Sequence, residues 1–164
     1  MYAVWFTFDE KDEQYLTEKI QELSTEYASQ EFTPHITAYG LVDIQLEKLD
    51  KIISEIIKNE KKFNVEKTKI SYSEDFWKTV FVEFAENDSL QRINRKLTEL
   101  LESFNKYEFK PHASLIYKKM EKKAKTKLVG SVTIKDDFIV SGMCIQEFSE
   151  NISDWKITRK YQFE

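Results

Sequence analysis

The chain holds two histidines and two prolines, and each proline stands directly before a histidine. The pairs sit in Thr33-Pro34-His35-Ile36-Thr37 and in Lys110-Pro111-His112-Ala113-Ser114, so a hydroxyl residue follows each histidine at the second position. Phe32 and Phe109 precede the prolines by two residues, and Tyr39 and Tyr117 follow. On a strand, residues i and i+2 share a face, which sets His35 beside Thr37 and His112 beside Ser114. Proline suits a strand's first residue, where no ladder donor is needed. Imidazole titrates near neutrality, so one ring can take a proton while another gives one. Two such rings on opposite sides of a phosphorus atom support in-line displacement, with Thr37 and Ser114 donating to the non-bridging oxygens as charge builds. A strained cyclic phosphate suits this toolkit, because its ring opens with one water and one proton relay. One Pro-His-x-Thr would carry little information, since a lone histidine on an apolar strand is usually core. Two copies that consume every histidine, in matching surroundings, favour a functional pair. Two histidines without a third ligand leave a zinc site incomplete, so neither metal nor cofactor is expected.

The elements that must position these residues are legible from periodicity. Residues 2–8 read as a strand. Asp9 then caps a helix with Leu16, Ile20, Leu23 and Tyr27 on one face. A motif strand at 35–39 ends at Gly40. Asp43 caps a second helix bearing Leu49, Ile52, Ile53, Ile56 and Ile57. Strands near 62–72 and 79–85 follow, the second with Val80, Val82 and Phe84 on one face. Asn87 or Asp88 caps a third helix with the stripe Leu90, Ile93, Leu97, Leu100 and Leu101. The second motif strand spans 112–117, and a short helix is expected over 119–128. Strands near 131–135 and 143–148 come next, then a last strand with Trp155, Ile157, Tyr161 and Phe163 on one face. Each motif strand thus follows a strand-then-helix unit, which reads as an internal duplication. The expectation is an α+β fold of residues 1–164. It is one domain of two pseudo-symmetric lobes, with two antiparallel sheets back to back around a central cleft and helices on the outer faces.

Composition bounds the function. Apolar residues at 41% support a sizeable core, and a net charge of −4 weighs against a protein that lives on duplex nucleic acid. Cys144 is the only cysteine, so no internal disulfide forms, and its strand-like surroundings suggest a buried, inert thiol. The opening Met1–Phe8 lacks a positive run and reads as a strand rather than a leader. No apolar run approaches a membrane span, and a cytoplasmic monomer is expected. Lys118–Lys127 holds six lysines against one glutamate; it reads as the solvated face of a helix rather than a phosphate lure.

These residues resemble the two-histidine (2H) phosphoesterase superfamily, whose mark is a pair of His-x-Thr/Ser motifs. The likeness is closer to the cyclic phosphodiesterases of plants and yeast. It runs through Met1-Tyr2-Ala3-Val4-Trp5, Glu31–Thr37, Pro111–Tyr117, Ser153-Asp154-Trp155-Lys156 and Tyr161. The resemblance implies hydrolysis of nucleoside 2',3'-cyclic phosphates to 2'-phosphates, or of ADP-ribose 1'',2''-cyclic phosphate to the 1''-phosphate. It gives His35 as proton donor and His112 as acceptor, with Thr37 and Ser114 on the phosphate. It adds Tyr117 as a phosphate contact, although strict alternation points Tyr117 away from Ser114, so a strand end or bend must turn it back. Where plant members carry cysteines near residue 76, this chain has Glu74-Asp75-Phe76-Trp77-Lys78-Thr79. Trp77 there offers a stacking surface for a base, or equally a cover for the core edge. The rival readings are a phosphodiesterase acting on RNA 2',3'-cyclic ends or 2'-5' oligonucleotides, and a non-catalytic nucleotide-binding module.

Overall fold

The structure, a computed structural model, describes residues 1–164. The elements in chain order are β1 (Tyr2–Phe8), α1 (Glu10–Tyr27), β2 (Ile36–Val42), α2 (Leu46–Ile56), β3 (Phe63–Tyr72), β4 (Val80–Phe84), α3 (Asp88–Leu101), β5 (His112–Ile116), α4 (Lys122–Ser131), β6 (Asp137–Glu147) and β7 (Lys156–Gln162). Single 3-10 turns lie at Phe76–Lys78 and Ile152–Asp154. The Asp9 carboxylate accepts the Asp12 N–H at 2.9 Å, and the Asn87 side-chain oxygen accepts the Leu90 N–H at 2.8 Å. Each thus satisfies a donor that the first helical turn leaves free, an effect worth about 1 kcal/mol. Asp43 does not do the same for α2, which starts after Gln45 without a side-chain cap.

All strand pairs are antiparallel, in the path β2-β1-β6-β3-β4-β5, with β7 added alongside β6. The two expected sheets are joined by β3, whose first half pairs with β6 and whose second half pairs with β4. The motif strands β2 and β5 stand at opposite ends of the path, and the sheet curls until those ends pack against each other. Helices cross between the halves to hold this closure: α1 packs on β5, and α3 packs on β2. Asn94 of α3 donates to the Ala38 carbonyl at 3.0 Å, and Asn105 donates to the Leu41 carbonyl at 2.6 Å. These side chains serve carbonyls of an edge strand that has no further partner.

One face of the sheet is covered. Val4, Phe6, Val80, Val82, Leu115 and Met143 are buried there in one continuous core with Leu49 and Ile53 of α2 and Leu90, Ile93 and Leu97 of α3. The other face carries Ala3, Trp5 and Cys144, and the motif side chains lie on it. Burial pushes the Cys144 thiol up to about 12, the state of an unreactive core residue.

Several boundaries differ from the sequence reading, and irregular pairing explains two of them. Gly40 does not end β2; the strand runs on to Val42, with the Tyr107 ring lying over the glycine. No strand forms at 131–135. Instead β6 is one long strand whose alternation resets where Ser141 has no partner between the pairs Thr7↔Gly142 and Phe8↔Val140. A similar irregularity at Thr158 splits the expected face of β7. Trp155 and Ile157 join the open face, while Phe163 and Tyr161 belong to the core. The helix expected at 119–128 runs over Lys122–Ser131, and Leu100 points to solvent at the edge of the α3 stripe. A bulge adds one residue and flips the parity beyond it, which a strict two-residue pattern cannot foresee.

Two glycines test this packing in opposite directions. A Cβ at Gly142 would stand 2.1 Å from the Tyr161 carbonyl, whereas one at Gly130 meets nothing within 4 Å. Urea unfolding should show Gly142→Ala destabilised by about 3 kcal/mol. Gly130→Ala, in a helix, should gain about 0.5–1 kcal/mol. Equal stabilities for the two variants would contradict the close β6–β7 approach.

Candidate active site

Each histidine is oriented by the residue before its proline. His35 Nδ1 lies 2.8 Å from the Thr33 carbonyl, and His112 Nδ1 lies 2.7 Å from the Lys110 carbonyl. A carbonyl can only accept, so Nδ1 carries the hydrogen in both rings and Nε2 is left as the bare nitrogen. The prolines explain why the contact recurs. Proline fixes its own φ and holds the preceding residue extended, so the carbonyl two positions back is preset beside the ring. The duplicated sequence therefore produces a duplicated tautomer lock.

Both rings line one cleft, together with Thr37, Ser114, Tyr117 and Trp77. Every site residue expected from the sequence is thus brought together. Tyr117 reaches the cleft because the pairs Val80↔Ile116 and Phe81↔Ser114 leave Leu115 unopposed, which resets the alternation just before it. Burial holds its phenol protonated well above the usual tyrosine range. The Ser114 hydroxyl also reaches the Trp77 carbonyl at 3.3 Å.

The residues that sequence reasoning missed are aromatic. Trp5 stacks on the His35 ring with centroids 3.5 Å apart and planes 7° from parallel. Trp155 meets Trp5 edge-on at 5.6 Å and lies nearly parallel to Trp77 at 5.7 Å. Phe148 closes the wall against Trp77 at 5.5 Å, and the Trp155 indole N–H is fixed by the Ser149 carbonyl at 2.7 Å. All three tryptophans of the chain therefore line one cleft. Trp5 was detectable from its place on the alternating β1. Trp155 was hidden by the Thr158 irregularity.

The electrostatics follow from this setting. His35 is buried under Trp5 with 6% of its surface exposed. Burial drives its pKa down to about 3, opposed by the Thr33 carbonyl and aided by the nearby His112. His112 is half-buried; its pKa is lowered by burial in part offset by the Lys110 carbonyl, with Lys78 lowering it further and Glu83 and Asp75 raising it. Both imidazoles are neutral at pH 7. No lysine or arginine lines the cleft, and no three His, Cys, Asp or Glu side chains cluster to hold a metal anywhere in the chain. What the cleft offers is two proton-transfer groups, three hydroxyls and a stacking surface.

A family model described as cyclic phosphodiesterase-like protein matches residues 1–160. Among solved structures, a phosphoesterase is 12% identical with a TM-score of 0.68, covering 99% of this chain and 97% of that one. LigT of E. coli complexed with 3'-AMP is 12% identical with a TM-score of 0.67, covering 99% and 96%. TT0787 of Thermus thermophilus is 14% identical with a TM-score of 0.66, covering 99% and 97%. At these identities the structures establish the shared fold. No curated protein matches the chain in sequence.

The buried histidine sets a pH dependence. Below the ordinary imidazole value of 6.5 the unfolded chain takes up a proton at position 35, while the folded chain does not until about pH 3. Stability therefore falls as pH drops through that window, by up to about 1.4 kcal/mol per pH unit from this group. Urea midpoints between pH 7 and 5 should decline in the wild type and decline less in His35→Gln. An identical slope for the two would show that His35 is not held neutral by the fold.

Proposed function

The chain belongs to the cyclic phosphodiesterase-like protein family, and on that premise we propose that it opens nucleoside 2',3'-cyclic phosphates by two-histidine acid–base chemistry without a metal. The phosphate is left on the 2' oxygen, as the family resemblance implies. ADP-ribose 1'',2''-cyclic phosphate, which opens to the 1''-phosphate, is a second substrate of the same form. The observation that carries the reading is the pair of neutral imidazoles, each locked through Nδ1, that share one cleft with Thr37, Ser114 and Tyr117.

The steps assign one proton transfer to each imidazole. A water approaches phosphorus in line with the 3' oxygen. Neutral His112, the more solvent-accessible of the two, takes a proton from that water through Nε2 as the new P–O bond forms. The P–O3' bond breaks, and the 3' oxygen takes a proton from Nε2 of His35. His35 must therefore enter the step charged, although burial in the protein favours its neutral form. An anionic phosphate ester against the buried imidazole raises its pKa and shifts the balance towards the imidazolium. Hydroxyls of Thr37 and Ser114 donate to the non-bridging oxygens. For this the Ser114 hydroxyl leaves the long contact to the Trp77 carbonyl. The indoles of Trp77 and Trp155 give the base a sequence-tolerant stacking surface.

Scale and charge favour a single nucleotide over a strand. A long RNA needs a track of cations for its phosphates; the cleft lining has none, and the adjoining groove at His112 offers Lys78 and Lys110 alongside Glu83 and Glu86. Nucleotide ligands also occupy a relative of the same fold, LigT, which has been solved with 3'-AMP, with NADP+ and with ATP. No helix is long and apolar enough to cross a membrane, and a cytoplasmic setting suits the single buried thiol.

Phosphorus NMR of 2',3'-cyclic AMP with EDTA present tests the reading. Wild type should yield the 2'-phosphate alone. His35→Ala and His112→Ala should each lose about 1,000-fold in rate, and Thr37→Val or Ser114→Ala about 100-fold. Absence of turnover by wild type on both cyclic substrates would overturn the assignment. Nucleotide binding that is unchanged in the histidine variants, again without turnover, would point to a binding module.

A further inference from the structure

The lysine-rich segment Lys118–Lys127 does not lie wholly in solvent. Lys119, Lys122, Lys123 and Lys127 are exposed, but Lys125 is buried, with 2% of its side chain accessible. A buried ammonium is costly unless it is paired and hydrogen-bonded. Lys125 Nζ donates to the Ser73 carbonyl at 2.9 Å, stands 3.1 Å from the Glu74 carboxylate and sits 5.7 Å from the centre of the Tyr72 ring. All three partners are consecutive residues at the point where β3 ends and the loop to β4 begins.

That loop carries Trp77 into the cleft, and it is closed on itself at several points. The Ser73 hydroxyl donates to the Lys78 carbonyl at 2.5 Å, and the Ser73 N–H donates to the Thr79 carbonyl at 3.2 Å. Asp75 accepts the Trp77 N–H at 2.9 Å. Thr79 donates to the Phe76 carbonyl at 2.7 Å and accepts the Lys118 N–H at 3.3 Å. The loop is therefore gripped at both ends by the lysine segment, by Lys125 at Ser73 and by Lys118 at Thr79. Between the grips, Trp77 presents its ring to the cleft wall and its carbonyl to Ser114.

We propose that Lys125 is a positioning residue for nucleotide recognition: by holding Ser73 and Glu74 it fixes the Trp77 strap against the cleft. It touches neither the substrate nor the reacting atoms. This rests on the reading of the cleft as a nucleotide site. A purely structural role for Lys125 would lower stability and leave nucleotide affinity alone, whereas the strap role moves affinity in particular.

The test compares wild type, Lys125→Met and Lys125→Arg in steady-state hydrolysis of 2',3'-cyclic AMP and in calorimetric binding of 2'-AMP. Lys125→Met should raise KM and the 2'-AMP Kd about tenfold while kcat stays within about threefold. Lys125→Arg keeps the charge and the donors, and should recover most of the loss. An unchanged KM and Kd in a folded Lys125→Met overturns the proposal, as does an arginine variant as impaired as the methionine one. If Lys125→Met does not fold, Glu74→Gln on the surface takes its place. A KM increase of about threefold at constant kcat supports the strap role, and an unchanged KM refutes it. The 2'-AMP measurement needs no turnover. A wild type that binds 2'-AMP but leaves cyclic AMP intact would therefore count against the proposed reaction while the strap is still judged on Kd.

Discussion

The site depends on one contact made twice: an imidazole Nδ1–H given to the carbonyl of the residue before the preceding proline. A histidine held in this way has a single tautomer and one free nitrogen. Everything else in the fold serves to bring two such nitrogens to one cleft. The proline sets the carbonyl, the strand start sets the ring, and the alternation of the strand sets the hydroxyl beside it. Burial then determines the charge state, most strongly at His35 beneath Trp5. A ring without the Nδ1 anchor would be free to flip and to present a donor where an acceptor is needed.

The second constraint is closure. Motif strands at the two ends of a sheet path would ordinarily lie far apart. Curling of the sheet and the exchange of helices between the halves bring them into contact. The duplication shows its logic here: each half contributes a helix that packs on the motif strand of the other half. Asn94 and Asn105 add hydrogen bonds from the second half to the exposed edge of β2. The cleft is thus a product of both halves and would be lost if either were displaced.

The histidines, their hydroxyls, the α+β class and two of the helix caps were legible in the sequence because each rests on local chemistry. Pro-His needs only its neighbours, and Asp9 and Asn87 act within one helical turn. What escaped the reading depends on pairing between strands. The unopposed residues Ser141, Leu115 and Thr158 reset the alternation. They returned Tyr117 to the cleft, set Trp155 on the open face and shifted the alternation within β6. Gly40 looked like a strand terminator, yet it is the place where Tyr107 lies close. The buried Lys125 was hidden among lysines that are indeed solvated. Its distinction is tertiary, since it alone of the exposed-looking run finds Ser73 and Glu74 beneath the helix.

The central claim is that both histidines present a bare Nε2 to the cleft because their Nδ1 hydrogens are bound to backbone carbonyls. Long-range proton–nitrogen correlation NMR at pH 7 reads this directly from the two imidazoles, the only ones in the chain. Both should show a protonated Nδ1 and an unprotonated Nε2. A hydrogen on Nε2 of either neutral ring would contradict the account, because that nitrogen could then no longer accept a proton in the cleft.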